Sequence, residues 1–156
     1  MGLIIFNKIK SFEIVTLHTS GMRFVCEHEI VLKDGKAEVS LYNVGFDNGQ
    51  KELYLRERIL CEEKTILKLL NDCKVLSWNG FYGSHPKGVL DGMMFKFDAT
   101  VNGDQTIHAS GSENFPNHFR DFTDALYNIL HNKTEGGKSE KRSNSIREKR
   151  YKNISH

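Results

Sequence analysis

Asp91, His85 and His108 are the residues of this chain most readily combined into acid–base chemistry, because a carboxylate that fixes one imidazole tautomer makes that ring a general base. Asp91 opens an alternating apolar segment whose hairpin partner carries His108, and His85 lies in the loop just before it. Asp91 before Gly92 also suits an Asx turn, in which the carboxylate accepts from the amides that follow. Cys26 and His28 stand two residues apart on one face of an expected strand, but no third or fourth ligand is identifiable near them, so no metal and no cofactor is expected. His28 reads first as a core histidine bonded to the backbone or to a polar neighbour. Cys26, Cys61 and Cys73 are odd in number and lack CxxC spacing, which argues for free thiols in a reducing compartment. There is no G-x-S-x-G elbow, P-loop, H-E-x-x-H or dinucleotide glycine pattern, so hydrolase, nucleotide and metalloprotease chemistry lack their usual warrant. Gly111-Ser112, ahead of the last expected helix, can offer amides to an anion, although capping and a tight turn account for it more simply.

A second set of residues suits binding. Trp78, Phe81 and Tyr82 cluster in the long glycine-rich stretch 78–88 and, with Asp91, can line a ligand or partner site. The competing expectation is that Trp78 and Phe81 fold back over the open end of the core, which leaves Tyr82 exposed.

The elements that position these residues follow from periodicity. Met22, Phe24, Cys26, His28, Ile30 and Leu32 alternate with mostly polar residues, the period of a half-buried strand. Asp34-Gly35 then suits a two-residue turn, and pairing Lys33 with Lys36 sets Leu32 opposite Ala37, Ile30 opposite Val39 and His28 opposite Leu41. Asn48-Gly49 marks the next hairpin, where Leu53, Leu55 and Ile59 alternate with Tyr54, Arg56 and Arg58. A bulged or three-residue loop is expected there, with Val39 opposite Ile59 and Asn43 opposite Leu55. Phe12–His18 is a further strand, and Leu3–Ile9 a short strand or helix. Ile66, Leu69, Leu70 and Cys73 follow helical spacing within Glu62–Cys73. Gly92–Val101 returns to strand pattern, and a loop over Asn102–Asp104 sets Ala99 opposite Ile107 and Phe97 opposite Ala109, with His108 facing outward. Phe115, Phe119, Phe122, Leu126, Ile129 and Leu130 form the stripe of a helix from about Pro116 to His131. The expected fold is α+β: an antiparallel meander plus a β-hairpin in a mostly antiparallel sheet, with two helices on one face.

The near-neutral charge of the 156-residue chain, 22 Lys+Arg against 20 Asp+Glu, averages two unlike parts. Residues 132–156 hold eight basic and three acidic residues, a net +5, which leaves 14 basic and 17 acidic in residues 1–131, a net −3. With only Ile146, Tyr151 and Ile154 as large apolar residues, the tail is expected to be disordered beside a single domain over 1–131. Its Lys138–Lys152 stretch is a conceivable arm for nucleic acid, although interleaved acids and the lack of an aromatic platform fit a solubilising tail. No apolar run is long enough for a membrane span or a signal-peptide core, so a cytoplasmic protein with no membrane partner is expected.

The second half carries Leu76-Ser77-Trp78-Asn79-Gly80-Phe81, Val89-Leu90-Asp91-Gly92, the Asn102-Gly103 turn, Gly111-Ser112 and Asn114-Phe115-Pro116-Asn117-His118-Phe119. Over residues 75–130 the chain resembles a group of small uncharacterised bacterial proteins, in which a W-x-G-F loop precedes an L-D-G strand start and a G-S/N-x-x-x-P-x-x-F turn opens the last helix. The resemblance implies the hairpin–helix arrangement and transfers no activity, cofactor or catalytic residue. The leading expectation is a non-enzymatic binding domain, with the Trp78–Asp91 loop and the adjacent hairpin edge facing a protein partner or a second copy. A small enzyme using Asp91 with His85 or His108, and a nucleic-acid-associated protein acting through the tail, are the alternatives.

Overall fold

The computed structural model describes residues 8–88 and 92–131. The strands are β1 (Phe12–Ser20), β2 (Val25–Lys33), β3 (Lys36–Asp47), β4 (Gln50–Glu62), β5 (Tyr82–Gly83), β6 (Met94–Val101) and β7 (Gln105–Ser112). The helices are α1 (Glu63–Asp72) and α2 (Phe119–His131), and a 3-10 turn spans Val75–Trp78. All seven strands join one sheet in the order β4-β3-β2-β1-β6-β7-β5, antiparallel throughout except where β5 pairs parallel with β7. The fold is α+β, and both helices cover the same face of the sheet.

Strand periodicity dictates that face. Val15 and Leu17, Ile30, Val39 and Leu41, Phe95 and Phe97, and Ile107 and Ala109 alternate inward and enter one core with Ile66, Leu69 and Leu70 of α1 and Phe119, Phe122, Leu126 and Leu130 of α2. Turn chemistry holds the register. Asp34 and Gly35 have φ of +52° and +78°, as do Asn48 and Gly49 at +52° and +81°, the left-handed pair that a two-residue hairpin needs. The β2–β3 pairs are those expected, Lys33 with Lys36 through His28 with Leu41. The β6–β7 pairs also match, with Ala99 opposite Ile107 and Phe97 opposite Ala109 around Asn102–Asp104.

The β3–β4 hairpin differs. Its loop is tight, Asp47 pairing Gln50, and the extra residue is absorbed inside the strand between the Leu41–Glu57 and Tyr42–Leu55 pairs. Val39 does face Ile59, but Asn43 faces Tyr54 rather than Leu55. The bulge at Arg56 reverses the alternation, so Leu53 and Leu55 lie on the opposite face from Ile59 instead of sharing it.

Two ends also move. Met22 and Phe24, expected on the apolar face, are exposed in the β1–β2 connection, where Gly21 N–H donates to the Phe24 carbonyl and the Phe24 ring packs where a Gly21 Cβ would stand. The second helix begins at Phe119, not Pro116, because His118 is left-handed at φ +69°. Lys8 to Ser11 form no strand or helix, and the rest of the expected Leu3–Ile9 element, like the 132–156 tail, lies outside the described residues.

Side chains anchor that entering segment. Asn71 Oδ1 accepts from Ile9 N–H at 2.8 Å while its Nδ2 donates to the Ile9 and Leu67 carbonyls at 3.0 and 2.9 Å, and Asn102 Oδ1 accepts from Lys10 N–H at 2.7 Å. Asn71→Ala is expected to lower stability by about 2 kcal/mol, since it strips both backbone partners from the buried Ile9. The urea midpoint measures it, and an unchanged midpoint with unchanged hydrogen exchange at the Ile9 amide contradicts it.

Candidate functional site

The expected acid–base set does not assemble as drawn. His108 faces outward from β7, as expected, and its Nδ1 lies 2.5 Å from Oδ1 of Asp98, the residue opposite it on β6. Asp91 lies outside the described residues. His85 Nδ1 instead meets Ser112 Oγ at 2.7 Å, four residues along β7 from His108 and therefore anchored about 13 Å away. The imidazole of His108 is 65% exposed, so among the described residues nothing around this dyad excludes water from a reacting group.

The aromatic set separates too. Trp78 is fully buried: Phe97 and Phe122 meet it edge-on at 4.9 and 5.4 Å, and its indole N–H donates to the Asn117 carbonyl at 2.9 Å. Phe81 is half-buried against Phe95 at 6.2 Å. Tyr82 alone of the three is presented, 76% exposed, on the same face as its partner Ser110. Glycine permits this edge to close, since Gly83 pairs Gly111 and a Cβ on either would run into Asn114. Ser112 ends β7 seven residues before α2 begins, so Gly111-Ser112 is strand and offers no helix N-terminus to an anion.

Register places Tyr82 and His108 on one continuous surface. Opposite the helices, one row across the sheet reads Arg58, Ser40, Glu29, Thr16, Asp98 and His108; the next reads Leu55, Tyr42, Glu27, His18, Lys96, Ser110 and Tyr82. No described element covers this face. Its charges are ordered and largely neutralise one another. Arg58 donates to Ser40 Oγ at 2.9 Å and the Tyr42 hydroxyl at 3.0 Å, and lies 3.5 Å from the Glu38 carboxylate. Lys51 Nζ donates to Glu27 Oε1 at 2.8 Å, and His18 Nδ1 lies 3.3 Å from the same oxygen. Partial burial opposes ionisation of Glu27, but Lys51 and His18 outweigh it and hold the carboxyl below its ordinary range. Between these groups Ile14, Leu53, Leu55, Leu60 and Met94 are exposed.

A second polar cluster sits under the end of α2. The bulge turns Glu57 inward until only 4% of it is exposed, and its Oε1 lies 3.2 Å from His131 Nε2. His131 Nδ1 donates to the Tyr127 carbonyl at 2.8 Å, and the ring stacks on Tyr127 at 3.9 Å. Nearby, His28 Nδ1 is buried with no hydrogen-bond partner, contrary to the bonded core histidine expected there. Burial, reinforced by the Arg56 charge, lowers its pKa to about 4, with Glu57 opposing and His131 adding to the fall, so the ring is neutral at pH 7. Burial likewise raises the Cys26 thiol, which lies 3.1 Å from Thr19 Oγ1, and pushes Cys73 up to about 11. Neither is a ready nucleophile at neutral pH. Among the described residues no group of three His, Cys, Asp or Glu is placed to hold a metal ion, and the three cysteines are free.

Of these features, sequence reasoning missed the Asp98–His108 pair and pointed to Asp91 as the carboxylate, although the expected β6–β7 register already sets Asp98 opposite His108. Glu57 was not legible in the sequence, because one bulge decides which way it points.

No family model, curated protein or solved structure matches the chain. No helix among the described residues is long and apolar enough to cross a membrane.

Proposed function

We propose that this protein is a binding domain that docks a protein partner on the face of its sheet opposite the helices, from the Tyr82 edge inward. The carrying observation is that this face, seven strands wide, is left uncovered by every described element while the helical side closes a complete core. Single exposed apolar residues are ordinary, but Tyr82 and Met94 are exposed together at this end of the face, and aromatic and methionine side chains are the types enriched where binding energy concentrates. Paired charges beside them suit orientation of a partner more than capture of a polyanion, which needs a field of one sign. The Asp98–His108 dyad belongs to this same surface, and its exposure favours recognition over catalysis.

The test is partner capture by in-cell crosslinking, followed by titration of the captured protein with purified variants. Tyr82→Ala and His108→Ala are each expected to weaken binding about tenfold or more, whereas Arg120→Ala, on the exposed side of α2, leaves it unchanged. Binding that is lost in the α2 variant and kept in both sheet variants overturns the reading.

A further inference from the structure

The opposite end of the sheet carries a separate feature, independent of the docking reading. β4 is the outermost strand, 13 residues and about 43 Å long, and among the described residues nothing pairs with its outer side. Such an edge is normally blunted by prolines, by charged side chains, lysine above all, by a bulge or by shortness, and of these β4 has the bulge at Arg56 and charges of both signs. Here there is no proline and a single lysine, and Leu53, Leu55 and Leu60 are exposed along it, Leu60 to 58%.

We propose that two copies of this chain pair through β4, antiparallel about a two-fold axis that passes between Arg56 and Glu57. The bulge dictates the register. Because alternation reverses at Arg56, the residues on the uncovered face are Lys51, Leu53 and Leu55 before the bulge and Arg58, Leu60 and Glu62 after it. A two-fold normal to the sheet pairs each residue with one on the same face, so the axis must fall between two residues rather than on one. Centred between Arg56 and Glu57, it sets Leu53 opposite Leu60, Leu55 opposite Arg58 and Lys51 opposite Glu62, and on the other face Tyr54 opposite Ile59. No like charges face each other. Sliding the copies by two residues in one direction sets Leu53 against Arg58 and Leu60 against Lys51; in the other direction Leu55 meets Leu60, but Leu53 then faces Glu62 and the central pair becomes Glu57 and Arg58, which lie on opposite faces of the strand. The strand is therefore complementary to itself in one register, and the leucines of both copies join into one strip across a continuous fourteen-stranded sheet.

The experiment is sedimentation velocity on the full chain over a concentration series, with L53E, L60K and the double variant L53E/L60K. Both positions are exposed, so the substitutions leave the core intact, and far-UV circular dichroism verifies it. The wild type is expected to dimerise. Each single variant is expected to weaken self-association at least tenfold, by placing a charge against leucine at both symmetry-related contacts. The double variant recovers it, because each new carboxylate then faces a new ammonium of the other copy. Within one copy the two positions are about 23 Å apart, so the recovery can only be intermolecular. Mixing L53E with L60K likewise yields a dimer stronger than either alone. A wild type that stays monomeric at about 100 µM, or a double variant as weak as its parents, overturns the proposal. Neither outcome bears on partner docking at Tyr82.

Discussion

Trp78→Ala is expected to lower the stability of the domain by about 3–5 kcal/mol, enough to leave a large fraction unfolded near body temperature. Trp78 is the largest fully buried side chain, at the point where the 3-10 turn, β6 and α2 meet. Its loss removes contacts with Phe97, Phe119 and Phe122 together and leaves a cavity that surrounding backbone can only partly fill. It also strips the Asn117 carbonyl of its indole donor, in the turn that leads into α2. Trp78→Phe separates the two effects: it retains most of the ring volume, loses the hydrogen bond, and is expected to cost about half as much. Chemical denaturation followed by circular dichroism checks both. A Trp78→Ala protein within about 1 kcal/mol of wild type means that the ring is not the keystone its burial implies.

Acidification is expected to remove about 3 kcal/mol through His28 alone. Its folded pKa, about 4, lies below its ordinary value of 6.5, so below pH 6.5 the unfolded chain binds a proton that the folded chain refuses. Stability therefore falls as pH drops from about 6.5 to about 4 and is flat in this contribution below that, each pH unit in the window being worth about 1.4 kcal/mol. The causes are burial first, then the charge of Arg56, with Glu57 opposing and His131 adding. Carboxylates such as Glu27, held below their ordinary range, add their own loss on the acid side, but they do so in any variant. His28→Leu isolates the imidazole: it fills a similar space between Leu17 and Leu41 and removes a buried nitrogen that has no partner. At pH 7 the variant is expected to match or exceed wild type, and at pH 4.5 to lose markedly less. Parallel urea midpoints for the two proteins across this range contradict the assignment.

Sequence by itself determined the parts that rest on local rules. Alternation at period two, met by Asp34-Gly35 or Asn102-Gly103 turns, leaves one register that buries both strands, because a one-residue slip turns every apolar side chain to water. The helical stripes of α1 and α2 follow in the same way, and with them the α+β class. The exposed Tyr82 and the outward His108 came with those assignments. Tertiary structure decided what depends on neighbours distant in the chain. That β1 sits between β2 and β6, which makes one seven-stranded sheet of a meander and a hairpin, rests on pairs from Ser20 with Met94 to Phe12 with Val101, far apart in the chain. Trp78 became core because Phe97 and Phe122 arrived to enclose it, one of the two outcomes that its glycine-rich loop had left open. The bulge at Arg56 has the widest consequence: the sequence left the β3–β4 loop bulged or three residues long, and in the folded sheet the turn holds two. The residue left over was taken up inside the strand, where it turned Glu57 toward His131, sent Leu53 and Leu55 to the uncovered face, and made the outer edge of β4 complementary to itself.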